Sequence, residues 1–313
     1  MNKLKDLKVV FMGTPDFSLN VLQALIDNCN VIGVVSQPDR LVGRKKVLTK
    51  TPVKELAEKY NIKVFQPQKI REEYQDILDL NPDIIVTCAY GQIIPKEILF
   101  TPKYKCINVH ASLLPKLRGG APIHKAIIDG YEETGITIMY MDTKMDNGDI
   151  ISQSKIKIED TDTVGILFDK LSIMGSKLLI ETLPDIINNN INPIKQDESE
   201  VTFAYNITRE EEHIDFSKSV KEVFNRIRGL NPYPGGYAIL NGKTVKIYDV
   251  EKTNNIHKDK EFGEIIKVDK SGITVCVPDG EIIIKTLQLE GKKKTDALSI
   301  ANGNQIKEKE VFK

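Results

Sequence analysis

Asn108, His110 and Ser112 alternate along one short stretch of the chain, which ends in Leu-Leu-Pro. The partly apolar run before His110, residues 104–109, predicts a strand. Side chains two apart on a strand point to the same side, so Asn108 and His110 should project together near its carboxyl end, where open α/β sheets bind ligands. An amide that stabilises an oxyanion, beside an imidazole that transfers protons, suits acyl transfer. Alternatively, Asn108 caps a turn and His110 is a structural histidine.

Asp146 is a candidate partner for the imidazole. It lies between two predicted strands, 135–141 and 149–158, and directly before Asn147-Gly148, a strong hairpin-turn signal. A carboxylate beside an imidazole fixes its tautomer and stabilises its protonated form. An Asp before Asn-Gly is also ordinary turn chemistry, and the sequence does not establish that Asp146 and His110 meet.

The elements that must position these side chains alternate between strand and helix in the first half of the chain. Strands are predicted at 8–12, 31–36, 63–65 and 83–89, and helices at 53–60 and 72–80, with a further helical pattern that places Val21, Leu22, Leu25 and Ile26 on one face. After Pro115, helices are predicted at 122–129 and 163–182. Such alternation predicts an α/β fold with a mostly parallel, doubly wound sheet.

The character of the chain changes after residue 187. Residues 188–200 are polar and rich in Asn, which predicts a linker. Beyond it, Ser217 is expected to cap a helix that ends at Gly229. From Gly236 onward, short strands recur between turns, which predicts a small β-barrel.

Composition sets broad limits on class and location. The 313 residues suffice for two domains, and 44 basic against 44 acidic side chains give no global sign of a nucleic-acid partner. The four cysteines lack metal-like spacing and fit a reducing compartment. The polar N-terminus does not resemble a signal peptide, and no apolar run approaches the roughly 18 residues of a membrane span. These features predict a cytoplasmic protein with no membrane partner.

Local charge is concentrated in residues 38–50, which follow a predicted strand. This segment carries one acid, Asp39, and five basic residues: Arg40, Arg44, Lys45, Lys46 and Lys50. It reads as a mobile basic loop whose side chains can contact phosphates, making binding salt-sensitive. A solvated loop without a partner is the alternative. Basic residues recur at 221, 226, 228 and 292–294. These residues could bind RNA, or they could equally be surface charges that only keep the protein soluble.

Taken together, these motifs carry a family resemblance. Asn108-x-His110 with Ser-Leu-Leu-Pro, the Arg-Gly-Gly-Ala-Pro run at 118–122 and the Met-Asp-x-Gly-Asp run at 145–149 resemble the folate-dependent formyltransferases. Further segments resemble the branch of that family that acts on methionyl initiator tRNA: 10–15, 36–40, 43–46, 51–54, 89–91, 94–95, 231–235, 287–288 and 291–293. Each match is weak alone, but together they are specific and cover nearly the whole chain.

The resemblance implies a domain plan and a reaction. It implies a Rossmann-like catalytic domain over 1–187, a linker over 188–208 and an OB-like, tRNA-binding barrel over 209–313. The implied reaction moves a formyl group from 10-formyltetrahydrofolate to the α-amine of methionine esterified to initiator tRNA, for translation initiation. No metal is expected, and we expect a monomer.

By motif position, the resemblance also assigns residues. Asn108, His110 and Asp146 form the catalytic trio. The folate site is lined by Ser112, Leu113, Leu114 and Pro115, with Tyr90, Gly91 and Ile93 as weaker candidates. The tRNA acceptor end is engaged by the basic loop, with Arg40, Arg44, Lys45 and Lys46 as the contacts.

The chain departs from the family pattern at several aromatic positions, and two other functions stay open. Leu117 stands where an aromatic residue is common, and Phe216 and Tyr233 stand where Trp is frequent. One alternative is a formyl-folate enzyme acting on a nucleotide, a sugar amine or water. The other is a nucleotide- or RNA-binding module without catalysis, although residues 13–16 lack the Gly spacing of a dinucleotide site.

Overall fold

The computed structural model describes residues 4–43, 45–303 and 305–313. The chain divides into two compact units. The first contains the residues up to Pro122, Thr134–Ile156 and Phe168–Ala204, and the second contains Ile123–Glu133, Lys157–Leu167 and Tyr205–Lys313. Much of the segment predicted as a linker therefore belongs to the first unit.

The strands of the first part of the chain follow the predicted order. They are β1 (Lys8–Gly13), β2 (Asn30–Val35), β3 (Arg40–Val42), β4 (Val47–Thr49), β5 (Val64–Phe65), β6 (Ile84–Cys88), β7 (Cys106–His110), β8 (Glu133–Tyr140) and β9 (Ile150–Lys157). Seven of them form one sheet in the order β5-β2-β1-β6-β7-β8-β9, and β3 pairs with β4 as a separate hairpin. The hairpin lies within the predicted basic loop, which therefore has regular structure.

Helices connect these strands. They are α1 (Leu19–Asn28), α2 (Pro52–Lys59), α3 (Gln75–Leu78), α4 (Lys96–Phe100), α5 (Pro122–Ile128) and α6 (Val164–Ile187), with 3₁₀ turns at Asp16–Ser18 and Glu198–Glu200. Thr51 caps α2 by accepting a hydrogen bond from the Lys54 backbone N–H, and a proline occupies its first turn. The helix predicted at 72–80 is reduced to α3.

Strand direction confirms the mostly parallel, doubly wound sheet. β1 runs parallel to β2 and β6, β2 to β5, and β6 to β7, whereas β7 and β8 are antiparallel. Every residue of β6 is buried, as expected of a strand covered on both faces. The strand order reverses between β1 and β6, which is where such folds open a ligand crevice.

The second unit contains an antiparallel sheet and helices, among them most of α5 and the first turn of α6. Its elements after residue 205 are α7 (Val220–Leu230), β10 (Gly236–Leu240), β11 (Lys243–Thr253), β12 (Ile265–Asp269), β13 (Gly272–Val277), β14 (Gly280–Leu289), β15 (Thr295–Asp296) and α8 (Ala297–Asn302). The strand order is β10-β11-β14-β13-β12, with β15 on β14. Residues 310–313 form backbone hydrogen bonds with Ile239 of β10, with Ile265 of β12 and with Gly263, which precedes β12. These bonds join the two sheet edges, in keeping with the predicted barrel.

The boundaries of α7 correct two predictions. Ser219, not Ser217, is the N-cap, because the Ser219 hydroxyl and the Glu222 carboxylate each accept the other residue's backbone N–H in a capping box. Gly229 does not end the helix, which continues to Leu230. Its missing side chain instead allows close packing, since a Cβ there would lie 2.6 Å from the Ile128 side chain.

No helix among the described residues has both the length and the apolar character needed to cross a membrane.

Candidate active site

Asn108 and His110 lie at the carboxyl end of β7, as predicted. Asn108 is half-buried, and its Oδ1 accepts a hydrogen bond of 2.9 Å from the Thr87 hydroxyl on neighbouring β6. This bond fixes the amide plane. The Asn108 Nδ2 group donates to no protein acceptor within 4–43, 45–303 and 305–313, so it is free to donate to a ligand.

His110 is held between two loops. Its side chain is only 6% exposed. Nε2 lies 3.1 Å from the Leu117 carbonyl oxygen, while Nδ1 lies 3.7 Å from Asp146 Oδ1. The predicted meeting of His110 and Asp146 is therefore present, at ion-pair distance and without a direct hydrogen bond. Leu117, noted in the sequence only as a departure, contributes its backbone.

Asp146 sits in the loop between β8 and β9 with a left-handed backbone, at φ 47°. Its Oδ2 accepts a hydrogen bond of 2.8 Å from the Gly119 N–H, which keeps the carboxylate beside His110. Gly148 is required in the same loop because a Cβ there would lie 1.8 Å from the Tyr140 carbonyl oxygen. The chain turns at Met145-Asp146, within the loop 141–149, and not at Asn147-Gly148 as predicted, so Asp146 itself lies in the turn.

The Ser112–Pro115 segment is held in place by hydrogen bonds to Lys116 and Thr137. The buried Ser112 hydroxyl donates to the Lys116 carbonyl at 2.7 Å. Thr137 donates to the Ser112 carbonyl at 2.6 Å and accepts from the Leu114 N–H at 3.1 Å. Leu114 is also buried, whereas Leu113 and Pro115 are half-buried. Only the latter two side chains present appreciable surface to a ligand.

A cleft of about 490 Å³ opens at the point where the strand order reverses. It is lined by residues that follow β1, β2 and β6 and by the hairpin: Thr14, Pro15, Gln37, Pro38, Arg40, Val42, Thr49, Lys50, Thr51, Pro52, Ala89, Tyr90 and Gly91. Ile93 does not line it and is 66% exposed.

The Tyr90 hydroxyl is buried and has no hydrogen-bond partner within the described chain. Burial raises the pKa of Tyr90, so the hydroxyl stays protonated. The backbone around it is fixed, because the Thr14 hydroxyl and the Gln37 amide both donate to the Tyr90 carbonyl, at 2.9 and 3.1 Å.

The basic hairpin exposes both charge and apolar surface. Arg40, Lys45 and Lys46 are exposed, and Arg44 lies outside the described residues. The side chains of Leu41, Val42, Val47 and Leu48 are each more than half exposed. Asp39, the acid of this segment, is bound by Lys54 at 2.7 Å and by Gln66 at 2.7 Å, and these hydrogen bonds lower its pKa. The charge that remains at the hairpin surface is therefore positive.

Of the basic residues in the second unit, Arg228 is not a surface group. It is buried, and its guanidinium donates to the carbonyls of Glu159 and Asp162 at 2.8 and 3.0 Å. Lys221 and Lys292–Lys294 are exposed. No cluster of three His, Cys, Asp or Glu side chains suited to a metal occurs in the described part of the chain.

Comparison with known proteins connects this geometry to a family. Residues 7–183 match the formyl transferase family, and residues 206–305 match the formyl transferase C-terminal domain. The chain is 55% identical over 303 residues to the methionyl-tRNA formyltransferases of Bacillus thuringiensis subsp. konkukian (strain 97-27) and Bacillus anthracis, covering 96% of either sequence. The chain belongs to the methionyl-tRNA formyltransferase family. It is a formyl-transferring enzyme.

Solved structures agree with the formyltransferase fold. The methionyl-tRNA formyltransferase from Clostridium thermocellum matches with a TM-score of 0.55 at 18% identity, over 90% of this chain and 98% of that one. WlaRD, a sugar 3N-formyl transferase, matches at 0.66 and 22% over 92% and 99%. HypX from Aquifex aeolicus, in complex with tetrahydrofolic acid, matches at 0.63 and 15% over 92% of this formyltransferase and 46% of HypX.

Proposed function

We propose that this formyltransferase moves the formyl group of 10-formyltetrahydrofolate to the α-amino group of methionine esterified to initiator tRNA, giving N-formylmethionyl-tRNA. The observation that carries the proposal is the convergence of Asn108, His110 and Asp146 at one edge of the sheet. Near-full-length identity to methionyl-tRNA formyltransferases supports the choice of acceptor.

The chemistry follows from the three side chains. The neutral amine attacks the formyl carbon, and the carbonyl electron pair moves onto oxygen. The unpaired Asn108 Nδ2–H is placed to donate to that oxyanion, because Thr87 holds the opposite end of the amide. When the carbon–nitrogen bond to the donor breaks, its electron pair stays on the folate nitrogen, which must take up a proton.

His110 is the proposed source of that proton. Asp146 Oδ1 lies 3.7 Å from Nδ1 and the Leu117 carbonyl oxygen lies 3.1 Å from Nε2, so these two groups fix the orientation of the ring. The amine gives up one proton as the product forms. One proton is therefore released and one is delivered, so His110 returns to its starting state if it recovers the amine's proton through Asp146.

The described residues fit a folate-derived donor. The half-buried Leu113 and Pro115 offer apolar surface to a planar ring. Ser112 and Leu114 would hold the loop rather than touch the donor with their side chains.

The hairpin fits an RNA acceptor. Arg40 lines the cleft where the strand order reverses, so an RNA strand held by the exposed cations of the hairpin would lie beside that cleft. Lys45 and Lys46 would contact backbone phosphates of the tRNA acceptor end. The exposed Leu41 and Leu48 give base faces an apolar surface beside these charges.

The experiment compares kcat/KM for methionyl initiator tRNA, uncharged initiator tRNA and a nucleotide-linked amino sugar, each with 10-formyltetrahydrofolate. We expect transfer only to the charged tRNA. Efficient transfer to the amino sugar would overturn the acceptor assignment.

We propose that the protein works in the cytoplasm. The four cysteines are free and buried, which supports a reducing compartment such as the cytoplasm. The monomeric state expected from the sequence stays a prediction, which light scattering of the purified protein would check.

A further inference from the structure

Residues 194–204 lie in the segment that the sequence predicted as a linker, yet they bind the loops around His110. We propose that this segment, here called the strap, positions the catalytic groups, and that Gln196 is its central positioning residue. The inference rests on the proposed role of the trio. It assigns to Gln196 an effect on the reaction that is transmitted through Asp146.

Gln196 uses both ends of its side-chain amide. Its Nε2 donates to the backbone carbonyls of Asp146 and Gly148, both at 2.8 Å. Its Oε1 accepts from Arg118 Nε at 3.0 Å. Asp146 has a left-handed backbone, which Asp adopts more readily than most residues other than glycine, and these bonds hold the loop in that conformation.

Arg118 completes the hold on the same loop. It is 4% exposed, and its remaining guanidinium nitrogens donate to Asn147 Oδ1 at 3.1 Å and to Glu198 Oε1 at 3.0 Å. The planar guanidinium therefore joins two strap residues to the residue after Asp146. The next backbone N–H, that of Gly119, binds the Asp146 carboxylate directly at 2.8 Å.

The other end of the strap holds the loop on the opposite side of the imidazole. Thr202 accepts from the Leu117 N–H with its hydroxyl and from the Arg118 N–H with its carbonyl, both at 2.9 Å. The Ala204 N–H donates to the Arg118 carbonyl at 2.7 Å. Packing is close enough that a Cβ on Gly119 would lie 2.6 Å from the Ala204 carbonyl oxygen.

The strap thus contacts both partners of His110. Gln196 holds the backbone of Asp146, which faces Nδ1, and Thr202 holds Leu117, whose carbonyl faces Nε2. The start of the strap is pinned by paired backbone bonds of 2.8 Å between Ile194 and Ile150. Loss of the Gln196 bonds should release Asp146 while leaving the substrate-binding surfaces in place.

The test replaces Gln196 with Met, which keeps the length of the side chain and removes both donors and the acceptor. Loss of the two bonds to the Asp146 and Gly148 carbonyls predicts a fall in kcat of about 5- to 160-fold. Values of KM for 10-formyltetrahydrofolate and methionyl initiator tRNA should stay within about twofold of wild type.

Two further variants make the result decisive. Gln196→Glu keeps the acceptor for Arg118 and loses the donors to Asp146 and Gly148, so it should reproduce the kcat defect if Gln196→Met fails to fold. Lys195→Ala changes an exposed neighbour in the strap and should match wild type.

An unchanged kcat in folded Gln196→Met would overturn the proposal. A rise in KM with unchanged kcat would also overturn it, because Gln196 would then be a substrate contact. Failure of the wild-type enzyme to formylate methionyl-tRNA would instead refute the proposed function, so the two failures are distinguishable.

Discussion

Replacing Asn108 with Ala tests the proposed oxyanion donor. The Thr87 hydroxyl holds the Asn108 Oδ1 at 2.9 Å, which leaves Nδ2–H free within the described chain to meet developing charge. Loss of one such donor in comparable sites costs about 10²- to 10³-fold in kcat, or roughly 2.7–4 kcal/mol. We expect that loss here, with KM for either substrate nearly unchanged.

The fold should survive this substitution. Asn108 is half-buried, and Thr87 keeps an alternative acceptor in the Ile107 carbonyl at 3.2 Å. A urea-unfolding midpoint close to that of wild type would confirm that the activity loss is chemical.

Thr87→Val is the matched control, because it removes the bond that orients the amide and keeps the amide itself. One neutral hydrogen bond is worth about 0.5–1.5 kcal/mol, so kcat should fall only about 2- to 12-fold. Steady-state formylation of methionyl initiator tRNA measures both variants. An Asn108→Ala enzyme within tenfold of wild-type kcat would refute the assignment of Asn108 as oxyanion donor.

Three other predictions follow from the same structure. His110→Ala should lower kcat by at least 10²-fold while the protein stays folded, measured by formylation and circular dichroism; near-normal kcat would exclude it as the proton donor. Arg40→Ala should raise KM for methionyl-tRNA more than for the folate and reduce the slope of log affinity against log salt by roughly 0.7–0.9, measured by filter binding; an unchanged slope would argue against a phosphate contact. Burial lowers the pKa of His124 below its ordinary 6.5, an effect that the hydrogen bond to the Gly229 carbonyl opposes, so the unfolded chain takes up this proton first. The free energy of unfolding should therefore decrease as pH falls below about 6.5, and His124→Gln should weaken that dependence in urea titrations; an identical pH dependence in the variant would refute it.

Local patterns in the sequence were sufficient for the main sheet, whereas the catalytic trio came from the family resemblance and its role stays a prediction. β6 is a short apolar run covered on both faces, and β7 follows it with alternating polar side chains, so both are visible without knowledge of distant contacts. The Asn-Gly signal correctly predicted a connection between β8 and β9, although the structure places the turn at Met145-Asp146. The residues alone showed only that Asp146 must lie near His110 if it is to act on the imidazole. The structure shows that the two side chains are near each other, with Asp146 Oδ1 3.7 Å from His110 Nδ1.

The strap could not be found in the same way. Residues 194–204 are polar and lack periodicity, which is typical of a linker, because their bonds go to backbone groups 48 to 85 residues away. The residues Gln196 and Thr202 therefore carry no local signal of their role. The same is true of the buried Arg228, whose charge suggested a surface residue but whose partners are carbonyls distant in the chain.

The hairpin of β3 and β4 could not be predicted from the sequence for a different reason. Basic residues between Gly43 and Thr49 suggested a mobile loop, but β3 and β4 pair through Leu41 and Leu48, whose side chains remain exposed. Exposed apolar residues in a charged segment do not produce the one-sided alternation that marks a half-buried strand.

The most direct test of the proposed reaction follows the formyl carbon. Methionyl initiator tRNA is incubated with 10-formyltetrahydrofolate labelled in its formyl group, and the ester is then hydrolysed. The proposal predicts that the label is recovered in N-formylmethionine, at a rate reduced about 10²- to 10³-fold by Asn108→Ala. Label recovered as free formate, or on a nucleotide-linked amine supplied in competition, would contradict it.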